Sequence, residues 1–285
     1  MEEVHHKELI ASVEAQLQGV RELCGAEEVA AEIKVHEIRK SFKRLNALLK
    51  FFPESLCVEV DRFRKPMRQF ARRLTLGRES TVNLQLFERL MAEKGGLDDA
   101  KNDALHEALL ETKTTCLNAL IETENVLKDI RQLIRYGTEN LLPLLRSKSY
   151  SVSVFETIQS TFLRSKILYR AIVGNYDAEL YHELRKLMKT LWYQSELEAP
   201  GQTEVPGTIL EQLHAITDRQ GDDHDGYIFI NEISQQKYKL ESSDLEHLKK
   251  QVFQIQTANL EVLKRELADF FQQSEQQYLD LLRGL

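Results

Sequence analysis

The sequence predicts an all-α protein, and three observations carry that expectation. Apolar residues recur at helical spacing through most of the chain. Only 12 glycines and 5 prolines interrupt its 285 residues. No stretch shows the alternation of a hairpin or of strand and helix. A chain of this length holds one large helical domain or two smaller ones sharing a core.

Each element follows from that periodicity. Residues 5–29 read as a helix with Leu9, Ile10, Val13, Leu17 and Val20 on one face, ending near Gly25. Residues 31–52 form a second helix closed by Pro53. A third covers 55–76 and stops at Gly77; a fourth covers 79–93 and stops at Gly95 and Gly96. Residues 98–137 hold one long helical pattern, followed by a turn or short helix around Pro143. The second half opens with a helix over 151–173, broken at Gly174 and Asn175, and another over 177–197. Residues 198–207 form a loop carrying two of the five prolines. Helices over 208–219 and 225–237 flank a turn at Gly221, and a last helix over 242–283 starts from a cap at Ser242, Ser243 and Asp244.

Composition excludes several classes. No apolar run approaches the length of a membrane span, and the acidic, polar start is not a secretory signal. Cys24, Cys57 and Cys116 are odd in number and widely spaced, so they form neither a metal cluster nor a disulfide framework, and a reducing cytoplasm is expected. The formal net charge of -7 by itself argues against a polyanionic partner. The average hides a segregation of charge. Between His36 and Arg78 there are 12 basic and 4 acidic residues, a window of +8 that leaves -15 for the rest. Charge divided in this way draws anions to one surface.

The chain also repeats itself. The ten residues from His36 to Leu45 match those from His182 to Leu191 at six positions, with an offset of 146. Arg78 and Glu79 follow the first histidine at the same distance, 42 residues, as His224 and Asp225 follow the second. The spacing suggests two helical halves, about 5–149 and 151–283, related by an approximate two-fold within one domain. His36, Arg39, Lys40 and Lys43 share one helix face, as do His182, Arg185, Lys186 and Lys189. The opposite faces are apolar: Ile38, Phe42, Leu45 and Leu49 in the first, Leu184, Leu187, Met188 and Leu191 in the second. Lys50 extends the first stripe, and Tyr193 and Glu196 the second. Arg64, Arg68 and Arg72 form a further basic stripe. Like charges at that spacing repel by a few tenths of a kcal/mol per pair, roughly, so facing stripes make sense if an anion neutralises them. Arginine offers phosphate a bidentate fork and lysine a mobile point charge.

At these residues the sequence resembles the CHAD family, the conserved histidine α-helical domain. The second motif, His182, Arg185, Lys186, Lys189, Leu191, Tyr193 and Glu196, is similar to the family's second motif. The first resembles it too, with Lys43 and Arg44 where a double arginine is common. Arg78, Glu79 and Val82 are similar to the family's Arg-Asp-x-x-Val element, and His224 and Asp225 to its counterpart. The departures are Asn46 in place of a basic residue and Glu79 in place of aspartate. The resemblance covers roughly 5 to 283. It implies two pseudo-symmetric antiparallel helical bundles around a basic central cleft, binding of inorganic polyphosphate, and association with polyphosphate granules. The resemblance points to His36, Arg39, Lys40, Lys43, Arg44, Arg78, His182, Arg185, Lys186, Lys189, Tyr193 and His224 as the polyphosphate site, and the basic stripes read from helical spacing add Lys50, Arg64, Arg68 and Arg72. The first half, with its extra arginine stripe, is expected to carry more of the ligand.

Three rival readings are weaker. Metal binding through His36 and His182 would place the ion among cations, and the zinc-hydrolase spacing is absent because Lys40 and Lys186 occupy the fifth position. A phosphohydrolase using those histidines would need carboxylates for a metal, or a nucleophile paired with a base, and neither stands at recognisable spacing. Nucleic acid is disfavoured because no aromatic stacking platform accompanies the basic patch. The expectation is therefore a non-catalytic, cofactor-free protein.

Overall fold

The computed structural model describes residues 2–94, 97–147, 152–173, 178–200, 205 and 207–284. Among these there is no strand, and the apolar faces read from the sequence are the ones that pack. Helix α1 (Glu2–Gly25) buries Leu9, Ile10, Val13, Leu17 and Val20, and α2 (Ala31–Leu48) buries Val35, Ile38, Phe42 and Leu45. Each such side chain contributes about 1.5–3 kcal/mol on burial. Four of them on one face fix the rotation of α2 far more strongly than intrinsic propensity does. The stripe from His36 to Lys43 is thereby kept out of the apolar core, with Lys40 beside α1. A short 3-10 turn over Leu49–Phe51 ends α2 before Pro53, as expected.

Helices α3 (Cys57–Arg73), α4 (Thr75–Lys94) and α5 (Asp99–Asn118) follow, then α6 (Val126–Tyr136) and α7 (Leu142–Arg146). The second half supplies α8 (Val154–Val173), α9 (Ala178–Glu198), α10 (Ile209–Ile233), α11 (Ser242–Phe270) and α12 (Glu275–Leu282). Helix α1 packs on α2, α8 on α9, α4 on α5 and α10 on α11; across the halves α2 meets α9 and α4 meets α10. The larger apolar core runs from α1 and α2 to α12. A smaller one joins α4 and α5 to the ends of α10 and α11, so both cores draw on both halves. Phe162 of α8 stacks on Tyr278 of α12 at 4.6 Å and touches Phe270 and Phe271, which seats the C-terminal helices on α8.

Several expected boundaries are corrected. Gly77 does not end a helix; it lies inside α4, where a Cβ would stand 2.8 Å from Leu120 Cδ1. Gly137 is likewise internal, in a π-helical turn over 137–141, with a Cβ position 2.7 Å from Phe63 Cε2. These glycines permit close helix approach rather than chain reversal. The long pattern over 98–137 is instead broken at Asn125, a left-handed residue (φ 49°) that opens α6. Asparagine tolerates that conformation better than most residues. Gly221 falls within the single helix α10, so the expected turn there does not exist. Ser242 is the first residue of α11, and the preceding Glu241 makes no side-chain cap. The last helical stretch is divided before Ser274, whose hydroxyl caps α12 in a reciprocal arrangement with Gln277. Gly95, Gly96, Gly174, Asn175 and most of the loop before Gly207 lie outside the described residues. Among the described residues no helix is long and apolar enough to cross a membrane.

Candidate anion-binding site

The facing of α2 and α9 places both histidine motifs on one surface, flanked by α4 and α10. Five cations converge there. Lys43 is repelled by Arg39 of its own helix, by Arg185 and Lys189 of α9 and by Arg78 of α4. Its side chain reaches solvent. The protein around it nevertheless displaces much of the water its ammonium would polarise. That desolvation, with the four neighbouring charges, pushes it down to about 7. Arg39 is pushed down to about 10 by burial first and Arg78 second, and stays charged at neutral pH. Burial also lowers Arg185 and Lys189.

Each cation is held by the fold. Arg39 donates to the carbonyl of Ala71 and, at 2.8 Å, to the hydroxyl of Thr75, which ties α2 to the α3–α4 corner. Arg78 reaches across to α10, where Nη2 donates to Asp225 Oδ2 at 2.7 Å. The other oxygen of Asp225 and Nε of Arg185 are buried without a hydrogen-bond partner. Lys189 donates to Thr217 and Asp218 at 3.3 and 3.4 Å and lies 3.9 Å over the Trp192 ring. All three histidines border this group. The His182 and His224 rings are 5.4 Å apart. His224 is pushed down to about 4, by burial first and then by Arg185. Burial also lowers His36 and His182, with Lys40, Arg78 and Lys43 adding to the effect on the former and Lys186 and Arg185 on the latter. Removing water favours the neutral imidazole, and neighbouring cations act in the same direction.

A comparison with protein families matches residues 14–233 to the CHAD domain. The chain belongs to the CHAD family. A search of curated proteins finds no match. In this CHAD chain the matched span stops at the end of α10, leaving α11 and α12 beyond it.

The remaining sequence-predicted residues divide into three places. Lys40 and Lys186 are exposed and paired with the glutamates three residues earlier, Glu37 at 3.7 Å and Glu183 at 2.7 Å. Arg44 donates to Glu196 at 2.5 Å and stacks over the buried Tyr193 ring at 5.3 Å. Lys40 and Arg44 also line a cavity of about 480 Å³ between α1 and α2, together with Gln16, Glu22 and Glu37. Arg64 and Arg68 stand on α3 beside Lys50 rather than in the five-cation cluster, and Arg72 follows Arg68 on the same helix. Tyr193, read as a ligand contact, is 3% exposed; it serves as a platform beneath Arg44 and, at 5.8 Å, Lys189.

The CHAD motif residues also have partners the sequence did not single out. His214, Asp218, Asp222 and Asp225 fall along one face of α10. His214 packs tilted against Trp192, with ring centroids 4.4 Å apart, and lies 3.3 Å from Asp218. Their common face was hidden by the supposed turn at Gly221. Asn46, the family departure, accepts from Arg68. Among the described residues no group of three histidines, cysteines or carboxylates is placed to hold a metal ion.

Proposed function

We propose that this protein binds inorganic polyphosphate without acting on it, through the basic surface that α2 and α9 present between α4 and α10. The observation that carries this reading is the five-cation cluster of Arg39, Lys43, Arg78, Arg185 and Lys189, in which Lys43 is destabilised as a cation by its four neighbours. Such an arrangement is unfavourable in the empty protein and is relieved by a ligand with closely spaced negative charges. Arginine forks and mobile lysines suit phosphate oxygens. A linear polyanion fits better than a single phosphate because the cations come from three helices. Membership of the CHAD family supports the same ligand, by the resemblance set out above. Association with polyphosphate granules follows from it.

The internal repeat fits this surface. At the offset of 146, Arg39 corresponds to Arg185, Lys43 to Lys189, and Glu79 to Asp225. Arg39 rests on Ala71 and Thr75, whose counterparts are Thr217 and Gly221; the Arg185 Nη2 atom lies 3.9 Å from the Cβ position of Gly221. Two halves that pack equivalent cations against equivalent positions, the α3–α4 corner in the first and the middle of α10 in the second, would bring one stripe from each to a shared cleft.

The test is a variant with Lys40, Lys43, Lys186 and Lys189 changed together to Glu. It should lose polyphosphate binding and keep the helical circular dichroism of the wild type. Retained binding by the folded variant contradicts the assignment.

A further inference from the structure

The basic surface continues past the five-cation cluster. Lys50 lies seven residues beyond Lys43, roughly 10 Å along the helix direction at 1.5 Å per residue. Between them, Asn46 accepts from Nε and Nη2 of Arg68 at 3.3 and 3.2 Å, which docks the arginine stripe of α3 onto α2. Helix α8 packs on the turn over Leu49–Phe51 that carries Lys50. This brings in Arg164, a residue outside both histidine motifs. Lys50 feels Arg164 first among the charges, then Arg68 and Arg64; burial and that repulsion push it down to about 8. Among the described residues the carboxylate joined to this group is Asp61, bound to Arg64 at 2.5 and 2.9 Å. Among the described residues neither Lys50 nor Arg164 has an ion-pair partner.

We propose that Lys50, Arg64, Arg68 and Arg164 form a second phosphate-binding locus, joined to the first across Asn46, and that a single long polyphosphate chain bridges the two. This rests on the polyphosphate reading above. Three separate elements, α3, α8 and the turn after α2, converge on it, so the cluster is not one solvated helix face. The consequence is a chain-length dependence. An oligomer that fits within one locus gains nothing from the other. A chain long enough to reach both binds the second at high effective concentration, which raises affinity without new kinds of interaction.

The experiment compares tripolyphosphate with long-chain polyphosphate by isothermal titration calorimetry, using the full chain. Three proteins are needed: wild type, Arg164→Glu, and Arg170→Glu, an exposed change of identical charge elsewhere on α8. The expected result is a ratio of long-chain to tripolyphosphate affinity that falls at least fivefold in Arg164→Glu and stays near the wild-type ratio in Arg170→Glu. The salt dependence of long-chain binding should also flatten, by about one unit of slope for each phosphate that the variant leaves without a cation. Both substituted side chains are exposed on α8, and circular dichroism confirms folding. Wild-type binding with Arg164→Glu and Arg170→Glu indistinguishable overturns the second locus alone. Wild-type protein that binds neither ligand overturns the polyphosphate reading and this locus with it.

Discussion

The depressed Lys43 gives the proposed site a pH dependence whose sign and size can be worked out. In the free protein its ammonium titrates at about 7, displaced from an ordinary 10.5 by burial and by Arg39, Arg185, Arg78 and Lys189. A bound polyanion supplies the missing negative charge and raises that value towards or above the ordinary one. The bound state then holds a proton that the free state releases above pH 7. The Lys43 contribution to affinity is therefore complete well below pH 7 and declines as pH rises through the free-state value. One proton per complex sets a ceiling of about tenfold per pH unit. Solvent at the exposed side chain screens the shift, which places the expected loss at about threefold to tenfold per unit between pH 7 and 9. Lys50, pushed down to about 8, steepens the upper part of the range. The assay is calorimetry with long-chain polyphosphate in two buffers of different ionisation enthalpy, which counts protons taken up on binding. Lys43→Arg is the decisive control, because a guanidinium stays charged across this range. It should bind at pH 7 and show a clearly flatter slope up to pH 9. An affinity constant from pH 7 to 9, or an unchanged slope in Lys43→Arg, refutes the reasoning.

Three further outcomes are expected. Lys43→Glu with Lys189→Glu should weaken polyphosphate binding by at least tenfold more than Lys40→Glu with Lys186→Glu, since the second pair stands outside the five-cation cluster and is paired with Glu37 and Glu183; equal losses in a titration would show that position within the surface does not matter. Gly137→Ala should destabilise the fold by about 1–3 kcal/mol in thermal unfolding, because its Cβ would stand 2.7 Å from Phe63 Cε2 where α6 meets α1 and α3; an unchanged melting temperature would mean this close approach yields without cost. Phe162→Ala should cost about 3–5 kcal/mol in denaturant unfolding, given its complete burial against Tyr278, Phe270 and Phe271; a loss below about 1 kcal/mol would show that α12 is not held by this aromatic cluster.

What could be read from the sequence divides along physical lines. The apolar faces of α1 and α2 were legible because burial imposes a 3.6-residue period, and Leu9, Val13, Ile38 and Phe42 lie in the core as that period requires. The motif cations were legible because they share a helix face. Glycine was misleading in both halves. At Gly77 and Gly137 the missing side chain makes room for a neighbouring helix, a demand that arises only in three dimensions. Reading Gly221 as a turn cut α10 in two and concealed the face carrying His214, Asp218 and Asp225. Partners distant along the chain were beyond reach. Arg78 meets Asp225 from 147 residues away, Arg44 meets Glu196 from 152, and local spacing encodes neither. The same holds for Arg164, which belongs to no motif and reaches Lys50 only through the packing of α8.

The most direct test of the central claim is a titration of the wild-type protein with polyphosphate of defined long chain length at several salt concentrations, with and without a chelator. Binding should be measurable and fall steeply as salt rises, as expected when several cation–phosphate pairs release counterions on forming. The chelator should leave it unchanged. Absence of binding, an affinity indifferent to salt, or binding that requires added metal would contradict the account.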